Sequence, residues 1–141
     1  MCGIVGYVGN GDAVEVILEG LSKLEYRGYD SSGIAIVKNG QIQIEKKVGK
    51  LQALKDFLSE HPMSGEVGLG HTRWATHGAP SDINSHPHYN NDKSVAVVHN
   101  GIIENYIQLK KELTEQGCNF ISQTDTEVVA HLFGVLYDGD M

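Results

Sequence analysis

The sequence predicts an α+β fold: a mostly antiparallel sheet covered by helices. Three observations point there. Two strand-like runs flank Asn39-Gly40, a two-residue hairpin signal. Several stretches carry apolar residues at helical spacing, and strands and helices never alternate in the regular βαβ order of a parallel sheet. At 141 residues, 40 % hydrophobic and 21 % charged, the chain has the size and composition of one globular domain with a real core.

Taken in order, residues 3–8 read as an apolar strand, and Gly9-Asn10-Gly11 as the turn that ends it. Asp12 is placed to cap a helix, with Glu15 in the capping-box position and Val14, Ile17, Leu18, Leu21 and Leu24 on one face. The stretch 26–33 is polar, aromatic and too rich in glycine for a helix. Residues 32–38 and 41–48 are the hairpin strands, and 50–60 a short helix turning Leu51, Leu54, Phe57 and Leu58 inward before His61-Pro62 closes it.

A strand at 67–71 leads into a long irregular stretch, 72–93, which holds the only Trp; a loop of that length is a functional lid, a binding loop or a disordered segment. A strand at 94–99 should end at Asn100-Gly101. Ile102, Tyr106, Leu109 and Leu113 then form a helical stripe stopped by Gly117. A short strand at 119–122 precedes Thr124-Asp125-Thr126-Glu127, which caps a last helix carrying Val128, Leu132, Phe133 and Leu136. The sequence stops just after that apolar helix, so residues 1–141 are expected to be one domain incomplete at its C-terminal side, with apolar faces left for association.

Composition excludes several functions. A net charge of −7 argues against a nucleic-acid or anionic-membrane surface. No run approaches a membrane span, and the first residues lack the basic and apolar regions of a signal peptide. Cys2 and Cys118 have no disulfide-framework spacing, so a reduced cytoplasm is expected.

Chemistry is concentrated at the strand ends. Behind a removable methionine, Cys2 would carry a thiol and an α-amine with a pKa of roughly 7.7–8.0, a nucleophile and base in one residue. The ordinary alternative is a small apolar side chain starting a strand. Arg73 suits a two-pronged clamp on a carboxylate or a surface ion pair. Trp74 suits a pocket gate or a core aromatic. Asn100 with the Gly101 N–H suits an oxyanion hole or a plain turn. Asp125 suits an ammonium acceptor or a helix cap. His71, His77, His86, His88 and His99 match no zinc spacing and no cysteine cluster assists them, so no metal and no other cofactor is expected.

Together these residues change the balance. Cys2-Gly3-Ile4, Tyr26-Arg27-Gly28-Tyr29-Asp30-Ser31, residues 71–78, Asn84-Ser85-His86-Pro87-His88, residues 99–106 and Thr124-Asp125-Thr126-Glu127 follow one another in a single order. The series resembles the glutaminase domain of the isomerizing glutamine–fructose-6-phosphate aminotransferase family, within the class II glutamine amidotransferases. The strings 25–30 and 73–78 set it apart from other class II members.

The resemblance implies an N-terminal-nucleophile hydrolase αββα sandwich, two antiparallel sheets between helix layers. It implies Cys2 as nucleophile and Asn100 and Gly101 as oxyanion donors. Arg73, with Thr76 and His77, would bind the α-carboxylate of L-glutamine, and Asp125 its α-ammonium. Arg27 and Gly28 would position the nucleophile, and Trp74 would gate glutamine entry and ammonia passage. It also implies ammonia delivery to fructose 6-phosphate on sugar-isomerase modules outside these residues, in a parent enzyme that is a homodimer. The alternative is a catalytically silent glutamine-binding or assembly fragment.

Overall fold

A computed structural model describes residues 1–76 and 78–139. The chain begins with strand β1 (Gly3–Val8) and helix α1 (Ala13–Leu24), followed by a 3-10 turn at Glu25–Arg27. Strands β2 (Ser31–Lys38) and β3 (Gln41–Val48) form the hairpin. Asn39 and Gly40 take φ of 52° and 74°, the left-handed pair that such a turn requires. Helix α2 (Leu51–Glu60) leads to strand β4 (Val67–Arg73). Two-residue strands β5 (His88–Tyr89) and β6 (Ala96–Val97) and helices α3 (Tyr106–Glu115) and α4 (Glu127–Leu136) complete the elements.

The four long strands form one antiparallel sheet in the order β1-β4-β2-β3, and β5 and β6 pair antiparallel in a second. Helix α1 lies across β1 and β4, and α2 against β2 and β3. Helix α4 covers β5 and β6 and packs on α3. Helices, large sheet, small sheet and helices therefore stack as four layers. The apolar core lies beneath α1 and α2, where Ile17, Leu21, Ile34, Ile36, Leu51 and Leu54 are fully buried. Burial of this size contributes about 1.5–3 kcal/mol per large side chain.

The N-terminal half follows its pattern closely. Asp12 caps α1 by accepting from the Val14 N–H at 3.1 Å. Phe57 is only half-buried, and the Lys47 ammonium covers its ring at 3.9 Å from the centroid. The second half departs from its pattern. The strand expected at 94–99 shrinks to Ala96–Val97, and none forms at 119–122. The edges of a two-residue ladder offer too few partners to extend either run. Ile102 lies outside α3 and is 78 % exposed, so the stripe begins at Tyr106.

Helix α4 also differs from expectation. It buries Glu127, Val128, Ala130 and His131, while Phe133 and Leu136 face outward. Thr126 makes no side-chain cap. Glu127 instead accepts from the Ile121 N–H at 2.9 Å, the Ser122 N–H at 2.7 Å and the Ser122 hydroxyl at 2.5 Å. Those bonds hold 119–122 against the helix without a ladder.

Candidate active site

Strand register builds the site. In the β1–β4 ladder Gly3 opposes Thr72, which sets Cys2 beside the Arg73-Trp74 exit of β4. The Cys2 Sγ accepts from the Trp74 N–H at 3.2 Å and donates to the Trp74 carbonyl at 3.7 Å. The Met1 amine donates to the Arg27 carbonyl at 3.0 Å and the Gly28 carbonyl at 3.2 Å, so the 3-10 turn grips this end of the chain. The exposed Trp74 ring packs against Gly28. Asp30 accepts from the Ala75 N–H, and its own N–H donates to the Arg73 carbonyl at 2.7 Å.

The turn after β6 delivers Asn100. Its Nδ2 donates to the Cys2 carbonyl at 3.3 Å, and its Oδ1 accepts from His71 Nε2 at 2.8 Å. The side chain is therefore engaged in tertiary contacts and not in local turn chemistry. Arg73 is buried, and its Nη2 donates to the Gly78 carbonyl at 3.1 Å, drawing the following loop over the site. Asp125 is buried ahead of α4 and leaves helix capping aside; its Oδ2 accepts from the Ile103 N–H at 2.6 Å.

A cleft of about 500 Å³ gathers most of the residues singled out from sequence. Cys2, Arg27, Arg73, Trp74, Thr76, Asn100, Gly101 and Asp125 all line it. That size is typical of small-molecule sites, roughly 300–1,000 Å³. Gly28 touches the site through Trp74 and Met1, and His77 lies outside the described residues. Among the described residues no group of three or more His, Cys, Asp or Glu is arranged to hold a metal ion, and no helix is long and apolar enough to cross a membrane.

From the cleft, which His86 and Thr124 help to line, runs a buried polar column that the sequence reading missed. His71 stacks on His86 at 4.3 Å, and His86 meets His88 edge-on at 4.6 Å. His88 Nε2 pairs with the Thr124 hydroxyl at 2.8 Å, and Thr124 with Ser122 at 3.0 Å. Burial pushes the pKa of His71 down to about 4, and it holds His86 and His88 well below the ordinary range; nearby Arg73 and Lys46 add to the effect on His88. All three rings are neutral at pH 7. Lys46 fastens the loop ahead of this column by donating to the Ile83 and Ser85 carbonyls at 3.0 and 2.9 Å, and burial lowers its own pKa to about 8. The spacing Ser122-x-Thr124-x-x-Glu127 was the available signal for the far end of the column.

The sequence profile of the glutamine amidotransferase domain matches residues 55–137. The chain belongs to the glutamine amidotransferase domain family. It is 63 % identical, over 142 aligned residues and its whole length, to the glutamine–fructose-6-phosphate aminotransferase (isomerizing) of Fusobacterium nucleatum subsp. nucleatum, of which it covers 23 %. It is 60 % identical over its whole length to the enzyme of the same name from Caldanaerobacter subterraneus subsp. tengcongensis, again covering 23 %. Among solved structures, the glutamine phosphoribosylpyrophosphate amidotransferase from B. subtilis superposes on the whole chain with a TM-score of 0.78 at 29 % identity, the chain covering 30 % of it.

The four layers are therefore those of the N-terminal-nucleophile amidotransferases, as the motif series implied. This amidotransferase domain chain spans about a quarter of the length of the curated relatives it matches.

Proposed function

We propose that this amidotransferase domain hydrolyses L-glutamine to glutamate and ammonia through a thioester on Cys2. The observation that carries the reading is a single cleft bounded by a thiol, a side-chain amide, a buried cation and a buried anion: Cys2, Asn100, Arg73 and Asp125. An amino acid needs one cation for its carboxylate and one anion for its ammonium, and an amide carbonyl under attack needs N–H donors.

With Met1 removed, the Cys2 amine takes the thiol proton and sulfur bonds to the glutamine Cδ. The carbonyl π pair moves onto oxygen, where Asn100 Nδ2 and the Gly101 N–H receive it. Collapse of this adduct breaks the C–N bond, and the proton on the Cys2 amine passes to the leaving nitrogen as ammonia departs. Water then adds to the thioester while the amine accepts its proton. The C–S bond breaks, sulfur is reprotonated and glutamate leaves. Arg73, with Thr76 and His77, holds the α-carboxylate, and Asp125 uses the carboxylate oxygen not bonded to Ile103 for the α-ammonium. Arg27 and Gly28 steady the nucleophile's end of the chain, and Trp74 closes the entrance.

The names and identity of the relatives support a parent activity in which the ammonia converts fructose 6-phosphate to glucosamine 6-phosphate. On this reading residues 1–141 are the ammonia-releasing portion of that glutaminase domain. The sugar site lies in isomerase modules within the part of the relatives that this chain does not span, and the parent is a cytoplasmic homodimer. A silent glutamine-binding role is the second reading, favoured by the hold that Arg27 and Gly28 take on the Met1 amine.

Intact mass before and after a glutamine-mimicking diazoketone separates the two. Loss of one methionine and a single adduct on Cys2, with ammonia released from glutamine, is the expected result. A processed chain that is neither labelled nor active overturns the glutaminase reading, and retained Met1 with glutamine binding supports the silent one.

A further inference from the structure

The Asn100 amide can serve an oxyanion only if its nitrogen, and not its oxygen, faces the reacting atoms, and the two ends have nearly the same shape. Two contacts decide the orientation. Nδ2 lies 3.3 Å from the Cys2 carbonyl oxygen, and Oδ1 lies 2.8 Å from His71 Nε2. Turned by half a rotation, the amide would set its oxygen against the Cys2 carbonyl and its NH2 against the His71 ring nitrogen.

That rotation is admissible only if His71 Nε2 becomes an acceptor, which moves the ring proton to Nδ1. Nδ1 is buried and has no hydrogen-bond partner among the described residues. A proton there would be a buried donor with no partner, and the turned amide would also set its oxygen against the Cys2 carbonyl oxygen, so the turned arrangement loses at both ends. The ring has little freedom to escape the choice. Its backbone pairs with Ile4 and Gly33 in the centre of the sheet, and its face stacks on His86 at an interplanar angle of 20°. Arg73, His86, His88 and His99 are the titratable and charged groups that act on it, and burial keeps it neutral, with a pKa of about 4, so it offers a single N–H at neutral pH.

We propose that His71, in its neutral Nε2–H tautomer, is the positioning residue that locks the Asn100 amide with its nitrogen toward Cys2; the proposal rests on the glutaminase reading above. His71 touches no reacting atom. It acts by denying Asn100 the orientation that would present an oxygen to developing negative charge.

Two substitutions separate this role from packing. His71→Phe keeps a flat ring against His86 and removes the donor. His71→Gln keeps an N–H near the Nε2 position and removes the ring. In the processed chain, His71→Phe should lower kcat for glutamine hydrolysis roughly tenfold or more with KM changed by less than about twofold, and His71→Gln should recover most of the loss. Nitrogen NMR of the wild type at pH 7 should show His71 as the neutral Nε2–H tautomer. The Asn100 side-chain NH2 resonances should shift in His71→Phe and return toward wild type in His71→Gln.

A proton on Nδ1, unmoved Asn100 resonances in His71→Phe, or equal loss of kcat in both variants would overturn the proposal. The NMR readouts need no turnover. An inactive wild type therefore sinks the glutaminase reading alone, and the tautomer and Asn100 signals still decide the lock.

Discussion

Arg73 and Asp125 sit in buried positions where most sequences place apolar side chains, and each already spends part of its capacity on the loop beside it. That double duty makes conservative replacements informative. Asp125→Asn keeps an acceptor for the Ile103 N–H and removes only the charge that, on the proposed function, meets a substrate ammonium. We expect it to raise the KM for glutamine roughly tenfold to a hundredfold, the loss of one charge-assisted hydrogen bond, with the melting temperature little changed. Arg73→Lys should do at least as much harm, because an ammonium cannot reproduce a fork that holds Gly78 and, on the proposed function, the substrate carboxylate as well. Steady-state kinetics beside thermal melts of the same samples check both; a normal KM in either would remove that residue from substrate binding.

At the scale of elements, two contacts separate local from tertiary control. Asp12 caps α1 through one bond to the Val14 N–H, so Asp12→Ala should cost about 1 kcal/mol, read as a lower urea midpoint at unchanged slope. The hairpin and the sheet interface give a sharper contrast. A Cβ at Gly40 meets nothing within 4 Å, so Gly40→Ala is penalised only by its φ of 74°, about 1 kcal/mol. A Cβ at Gly33 would fall on the His86 carbonyl oxygen, where the loop before β5 lies directly on β2. Gly33→Ala must push the two sheets apart and should cost upward of about 2–3 kcal/mol while also disturbing the His71–His86 stack. Equal denaturation midpoints for the two glycine variants would refute that account of how the sheets meet.

For the molecule as a whole, the interface between the sheets is part polar and part apolar, and pH acts on the polar part. His71, His86 and His88 all have folded-state pKa values below the ordinary histidine value near 6.5, His71 at about 4. Where a folded pKa is depressed, the unfolded chain binds more protons, and stability falls as pH drops. The loss should begin near pH 6.5 and deepen toward pH 4, with roughly 3 kcal/mol from His71 alone at about 1.4 kcal/mol per pKa unit. Urea midpoints measured from pH 7.5 down to pH 4 test this, and a flat profile would mean that the three rings are hydrated. His71→Phe should flatten part of the curve.

The sequence by itself determined the α+β class, both helices of the first half, the hairpin, and the residues gathered around the cleft, because each rests on short-range patterns. Alternation, capping and turn chemistry are readable within a few residues, and Cys2, Arg73, Asn100 and Asp125 carry chemistry unusual enough to stand out at the ends of elements. It failed where pairing is thin. The runs at 94–99 and 119–122 have strand-like composition, yet a strand exists only where a neighbour supplies partners, and the small sheet supplies two residues' worth.

Only the tertiary structure decided that Glu127 ties down 119–122 in place of an Asp125 cap, and that His71, His86 and His88 meet as one neutral cluster, the first two stacked and the third edge-on. Those outcomes depend on which elements meet across the two sheets. Contacts between residues tens of positions apart, such as His71 with Asn100, leave no periodic trace in the chain that makes them.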